Sequence, residues 1–385
     1  MTGQTNDNPA GGPPRQDEPK DKQKAARSLR RSLAVRLISA SLLATLLLGG
    51  IVFYETRSLL TTAVETQLGS QQGSQARAIS TGLSSIKDTV SVMARDQELV
   101  RALSDLAAAF EELDQQSDLL EPEEVESLDK LYRDMVAEAA ARTGFDLPPS
   151  EELVPAGEAG RYLQYHYIVA NPFPSGETDQ LVMAEGDDSG YGAVHEQHHE
   201  VVNWKRSNFG FSDLMLLNTN GDVVYTSMKQ TDLGRNLISS LFVGDALGSA
   251  IVARLTGVAL GETILIDFQR YAPAGGAPTM FAAAAVSSDQ GAIGAVVVTV
   301  PIEALNGLTT SQERWKDVGL GDTGEAYVVG RDLLMRSDSR LWLEDQDAYL
   351  ATLNDQDYPP GTASEFTGCC STVVPKMSID SAVPG

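Results

Sequence analysis

Residues 37–54, LISASLLATLLLGGIVFY, form a run of 18 residues without a charge. As a helix rising about 1.5 Å per residue, the run covers roughly 27 Å, close to the hydrocarbon thickness of a bilayer. Before it stand Lys20, Lys22, Lys24, Arg27, Arg30, Arg31 and Arg36; after it the basic residues thin to Arg57 and Arg77. That bias places residues 1–36 in the cytoplasm and the body outside, with Phe53 and Tyr54 near the outer interface. A cleaved signal peptide would have an apolar core of about 7–15 residues ending in a small-residue cleavage site. This run is longer and starts late, and the residues after it, Glu55-Thr56-Arg57-Ser58-Leu59, continue as a helix. An uncleaved single-pass anchor is expected, with the body extracytoplasmic.

Charge supports a division at that point. Residues 1–54 hold 8 Lys/Arg and 4 Asp/Glu, a net of +4 against −24 for the whole, so the remainder carries −28. An acidic body repels nucleic-acid phosphates, and no nucleic-acid partner is expected. The opening residues are rich in Pro, Gly, Gln and charge and cannot bury enough apolar surface to order themselves, so 1–36 is expected to be a disordered tail. The only cysteines, Cys369 and Cys370, are adjacent, a spacing that disfavours a mutual disulfide.

No proline occurs between Arg57 and Glu121, and Ile79, Leu83, Ile86, Val90 and Met93 recur at spacings of 4, 3, 4 and 3. This seam predicts a long helix continuing from the membrane, either as helical core or as a stalk that pairs in a homodimer. Pro122 suits the first turn of a further helix over 122–142. From residue 212 the texture changes. Residues 213–218 and 223–227 flank the turn Thr219-Asn220-Gly221-Asp222, a strong hairpin signal. Further strands are expected at 263–268, 280–286 and 293–300, with a helix over 244–258 between the second and third. Two strands, a helix and three strands make an antiparallel α+β sheet with helices on one side. A helix from Pro301 to near Trp315 leads to a second hairpin, 326–329 and 333–336, turned by Gly330-Arg331-Asp332. Met335-Arg336-Ser337-Asp338-Ser339-Arg340 then reads as an exposed loop, held by side-chain to backbone bonds or serving a second pocket.

Three of the four histidines crowd into His195-Glu196-Gln197-His198-His199, a literal H-E-x-x-H. On a helix, His195 and His199 would share a face and could hold zinc, with Glu196 as general base. A third ligand is missing. Val202 and Lys205 stand where the extended pattern has Gly and His, no Glu follows Glu200 until Glu262, and Asp213 begins a strand. A solvated helix face is the expectation, with a membrane-anchored zinc metalloprotease as the alternative. Gly319, Gly321 and Gly324 look like a nucleotide loop, but a strand rather than a helix follows, so a tight turn is expected. No metal and no cofactor is expected, and no enzymatic turnover by this chain.

Residues 160–345 resemble the double-Cache sensor regions of bacterial transmembrane receptors. The matching stretches include Tyr165-His-Tyr, Asn171-Pro, Phe209-Gly-Phe-Ser-Asp-Leu, Gly221-Asp-Val-Val-Tyr, Lys229-Gln-Thr-Asp-Leu, Trp315-Lys-Asp-Val-Gly-Leu-Gly, Gly324-Glu-Ala-Tyr-Val-Val-Gly and Met335-Arg-Ser-Asp-Ser-Arg. The acidic helical insert and the alanine-rich strand look most like versions joined to class III adenylate/guanylate cyclases; chemotaxis and kinase receptors share the pattern. The resemblance implies a PAS-like (Cache) sheet module, a small-molecule ligand, a bacterial inner-membrane location, and an organisation of 1–36 tail, 37–54 membrane helix, 55–204 stalk and insert, 205–301 first module, and 302–385 linking helix with a second module. That second module is expected to be incomplete, because the family pattern continues through further strands, a second membrane helix and an output domain. Pocket candidates beside the strands are Tyr225, Asp232, Asp267, Arg270, Tyr271 and Phe281, with Asp267 suited to an amine and Arg270 to a carboxylate.

Overall fold

The computed structural model describes residues 20–143, 147–238, 245–255, 262–274, 277–289, 291–312, 314, 315, 317, 320, 324–332 and 334–355. Residues 1–19, most of the glycine turn at 319–323, Leu333, and residues 356–385 with both cysteines lie outside them. The chain divides into two compact units, Met1–Ser70 and Gln71–Gly385.

Helix α1 spans Lys20–Met93. Residues 20–36 are its first turns rather than disordered tail, because nothing between the basic cluster and the apolar run breaks a helix. Within the first unit its apolar side chains are exposed, Leu43 and Leu47 at 60% among them. By length and composition, the helix is apolar enough to cross a membrane.

In the second unit the seam of α1 enters the core: Val90 and Met93 are buried and Leu83 and Ile86 pack against the same cluster. Gly82 lets α1 approach closely, since a Cβ there would meet Leu308 Cδ1 at 2.7 Å. The helix stops at Met93, a break with no proline or glycine to announce it. Asp96 caps the next helix, α2 (Gln97–Asp114), its Oδ1 accepting from the amides of Glu98 and Leu99 at 3.0 and 3.1 Å. Helix α3 (Pro122–Thr143) starts at its proline as expected. Two short helices follow, α4 (Ser150–Leu153) and α5 (Glu158–Gln164), then α6 (Gly190–Asn208), capped by Ser189.

The expected strands form: β1 (Asp213–Leu217), β2 (Val223–Thr226), β3 (Ile264–Tyr271), β4 (Ala277–Ser288) and β5 (Gly291–Val300), with α7 (Asp245–Leu255) between β2 and β3. They make one antiparallel sheet in the order β2-β1-β5-β4-β3. Side chains alternate in β1, β4 and β5. Leu214, Leu216, Ala282, Ala284, Val296 and Val298 meet α2 and α6, whereas Met215, Leu217, Ala283, Ala295 and Val297 meet α7. Helices therefore cover both faces, not one. With the inner strands apolar on both sides, a single helical layer would have left valines in water.

Helix α8 (Ile302–Thr309) ends well before Trp315, because Ser311 and Gln312 take left-handed conformations, φ 52° and 58°. The second hairpin is present as one bridge, Val329 to Met335, with Gly330 N donating to Leu334 O and Arg336 N to Val328 O. Among the described residues no strand pairs with it, so it does not extend into a ladder. Short helices α9 (Arg340–Glu344) and α10 (Gln346–Asp355) follow.

Candidate functional site

An open cavity of about 650 Å³ lies between α3 and three loops of the sheet module. One wall is the α3 face carrying Leu131, Met135 and Ala139; Ile168 and Phe173 stand on the loop wall, and residues 228–231 and 272–274 complete the lining. The volume falls in the range of small-molecule pockets, and the wall is about as polar as apolar, Asp134 and Glu138 of α3 facing the cavity beside the apolar residues.

The loop between β2 and Arg235 holds two buried polar clusters, one at each end. Its position is fixed from α5. Gly234 (φ +74°) and Gly160 meet so closely that a Cβ on Gly234 would lie 2.3 Å from Gly160 Cα. That approach lets Gln164 Nε2 donate to the carbonyls of Thr231 and Leu233 at 2.9 and 2.8 Å.

The first cluster centres on Lys229. This residue lines the cavity, has a left-handed backbone (φ 50°), and is 2% exposed. Its Nζ lies 3.0 Å from His199 Nδ1 and donates to Ser227 O at 3.2 Å. Burial strips water from the ammonium and lowers its pKa to about 7, although the Asp213 and Asp179 carboxylates pull the other way. His199 Nε2 is 2.7 Å from the Asp179 carbonyl, which can only accept, so Nε2 carries the hydrogen and Nδ1 is the acceptor. The Nδ1 lone pair takes the Tyr225 hydroxyl at 2.8 Å, while Lys229 Nζ, 3.0 Å from Nδ1 and 3.3 Å from Nε2, lies over the ring face. Burial, then Lys229, pull the His199 pKa down to about 4, so the ring is neutral at pH 7. His195 stacks on His199 at 4.7 Å and donates from Nδ1 to Val182 O at 2.7 Å. Its Nε2 lone pair is buried without a hydrogen-bond partner among the described residues. Nearby, Asp213 accepts from Thr226 Oγ1, Met228 N and Leu214 N.

These facts overturn the solvated-face expectation for 195–199: His195, His198 and His199 are all buried. The helix turns them inward because each has a polar partner there; His198 Nε2 sits 2.9 Å from Asp105 Oδ2. The same geometry disfavours zinc at the H-E-x-x-H. His199 engages both ring nitrogens, Glu196 is exposed on the other side of the helix, and no group of three metal-ligating side chains converges among the described residues.

The second cluster holds Asp232, Tyr271 and Phe281, three of the residues singled out from sequence. The Tyr271 hydroxyl donates to Asp232 Oδ2 at 2.7 Å and its ring meets Phe281 edge-on at 4.9 Å. Asp232 Oδ1 is buried without a partner among the described residues, and burial followed by the Asp213 charge pushes its pKa up. Arg235 and Tyr132 adjoin, the guanidinium 5.5 Å from the ring, with the Tyr132 hydroxyl donating to Gln164 Oε1 at 2.5 Å.

The remaining candidates lie apart. Tyr225 belongs to the Lys229 cluster. Asp267 and Arg270 stand exposed on β3, and Asp267 is engaged by Arg336 through two bonds of 2.9 and 3.0 Å. Residues 336–340 are buried rather than exposed. Asp338 and Asn306 bond reciprocally at 2.8 Å, Ser337 accepts from Val328 N, and Arg340 donates to Gly324 O while covering the Trp315 ring at 4.7 Å. Sequence reasoning missed Lys229 and Arg235 as site residues and singled out His199 only as a zinc-ligand alternative. Lys229 sat in a quoted stretch, but nothing local marks a lysine whose burial depends on a helix 30 residues away.

No protein-family model matches the chain, and no curated protein sequence matches it. Among solved structures, the sensor domain of the V. cholerae histidine kinase DctB is similar at 10% identity and a TM-score of 0.25, over 48% of this chain. This chain spans 59% of the length of that domain.

Proposed function

We propose that this chain is the extracytoplasmic ligand-sensing input region of a bacterial transmembrane receptor. The observation that carries the reading is the cavity of about 650 Å³ floored by residues 228–231, a segment built around a strained and buried lysine. The apolar helix supplies the membrane connection. A small molecule in the cavity shifts a population between two arrangements of the module. The output is a cytoplasmic nucleotide cyclase outside these residues, a reading that rests on the sequence resemblance alone. The chain itself has no turnover; cyclic-nucleotide synthesis by the purified protein would contradict that. Pairing into a homodimer uses α1, where Leu60, Val64 and Leu68 are exposed at four-residue spacing.

The test is a thermal-shift screen of amino acids, amines and carboxylates against the full chain in micelles. A saturable rise in melting temperature is expected for at least one compound. It should vanish in Ser175→Trp, which fills the cavity from an exposed lining position. No shift with any compound, or a shift that survives in the variant, would refute the assignment.

A further inference from the structure

We infer that α6 is the element that couples the cavity to the end of α1. The helix carries polar grips on two faces. On one, His199, Asn203 and Arg206 recur at i, i+4 and i+7 and hold the cavity loops. His199 Nε2 and Asn203 Nδ2 donate to Asp179 O, Arg206 Nη2 pairs with Asp179 Oδ2 at 2.6 Å, and Lys229 reaches His199 from the opposite loop. Both loops line the cavity through Thr178 and residues 228–231, and Thr178 Oγ1 ties them together by donating to Met228 O.

On the other face, His198, Val202 and Lys205 recur at i, i+4 and i+7 and meet the α1–α2 corner. His198 pairs with Asp105 of α2, and buried Val202 joins the cluster that contains Val90 and Met93 of α1. Lys205 Nζ lies 2.9 Å from Asp96 Oδ2, the carboxylate whose other oxygen caps α2. Burial raises the pKa of Asp96, but Lys205 and the two capping amides outweigh it and hold the group ionised. A rotation or slide of α6 that follows the cavity loops must therefore strain the cap three residues beyond the end of α1. Tightly packed helices move between discrete positions rather than deforming. The ring of His199 joins the three parts, with Asp179 O on Nε2, the Tyr225 hydroxyl on Nδ1 and Lys229 Nζ over its face.

This inference rests on the sensing role proposed above but is tested without a ligand. Amide hydrogen exchange at Glu98 and Leu99, whose N–H groups bond Asp96, reports the corner directly. In the full chain, Lys205→Met should speed exchange there about tenfold, the size of one lost charge-assisted bond. Arg206→Met, on the neighbouring cavity-side face, should speed it several-fold, and the double variant should fall short of the product of the two. Exchange in β5 at 296–298 separates this from general unfolding; if Arg206→Met accelerates β5 equally, the milder Asn203→Ala decides. Corner amides that respond to Lys205→Met but ignore the cavity-side variant would overturn the coupling. Because no compound enters the assay, that failure is distinct from failure of the thermal-shift screen.

Discussion

Two polar segments, 195–199 and 335–340, look like surface in the sequence, yet the three histidines of the one and every residue of the other are buried. They differ in how their polar groups are satisfied. Around Arg336 and Asp338 the pairing is nearly complete: a guanidinium with two carboxylates, a reciprocal amide–carboxylate pair, an arginine on both a carbonyl and a tryptophan. The bonds to Asp267 hold Arg336 more firmly protonated than usual. Around His199 and Lys229 the pairing is lopsided: the ammonium has the Ser227 carbonyl and the face of the His199 ring, and the neighbouring His195 Nε2 lone pair has no partner among the described residues. A satisfied buried network rigidifies, whereas a partly satisfied one in low dielectric is poised between arrangements. Segment 335–340 is a clamp; segment 195–199 with Lys229 is, on the function proposed above, the switchable site.

The largest expected effect belongs to the site around Lys229. Lys229 has a folded pKa of about 7 against 10.5 unfolded. Between those values the unfolded chain binds the extra proton, so stability rises with pH across that window and the penalty is complete below pH 7. Lys229→Met should remove the slope and stabilise the protein at pH 6 by on the order of 4 kcal/mol. Denaturant midpoints of both proteins from pH 6 to 9.5 check this, and the difference between them excludes Asp232, whose raised pKa makes an opposite contribution. Parallel curves would break the distinction between the two segments.

Next comes the clamp. Asn306→Leu removes both bonds to buried Asp338 and should cost about 2 kcal/mol. The loss should show as faster exchange within 324–340 and leave β5 protected. A smaller effect is expected from Arg336→Lys, which keeps the charge and loses the two-point contact with Asp267. Its partners are 63% and 48% exposed, so the cost should be under about 1 kcal/mol, read as a slight drop in melting temperature.

Much of the fold was legible. The Asn220-Gly221 turn, the valine-rich β5 and Pro122 at the start of α3 are local signals that tertiary structure left intact. What local signals could not carry is the identity of the partner. The break after Met93 is marked by Asp96 and Glu98, a capping signature hidden inside an unbroken helical pattern. The histidine face reads as polar, and only Asp105, Val182 and Asp179, brought in from elsewhere, make it buried. Candidate residues fared similarly. Asp232, Tyr271 and Phe281 converge, while Asp267 is claimed by an arginine 69 residues away. The cavity was invisible because α3 and the β2 loop are about a hundred residues apart, the separation of Tyr132 from Arg235 being 103.

The most direct test of the contrast is the titration of Lys229 itself, followed by 13C NMR of lysine-labelled protein, with Lys229→Met assigning the signal. The account predicts a midpoint near 7 for this one lysine. A midpoint at the ordinary value near 10.5 would show an ammonium fully satisfied in its site, and the distinction between switchable site and clamp would fall.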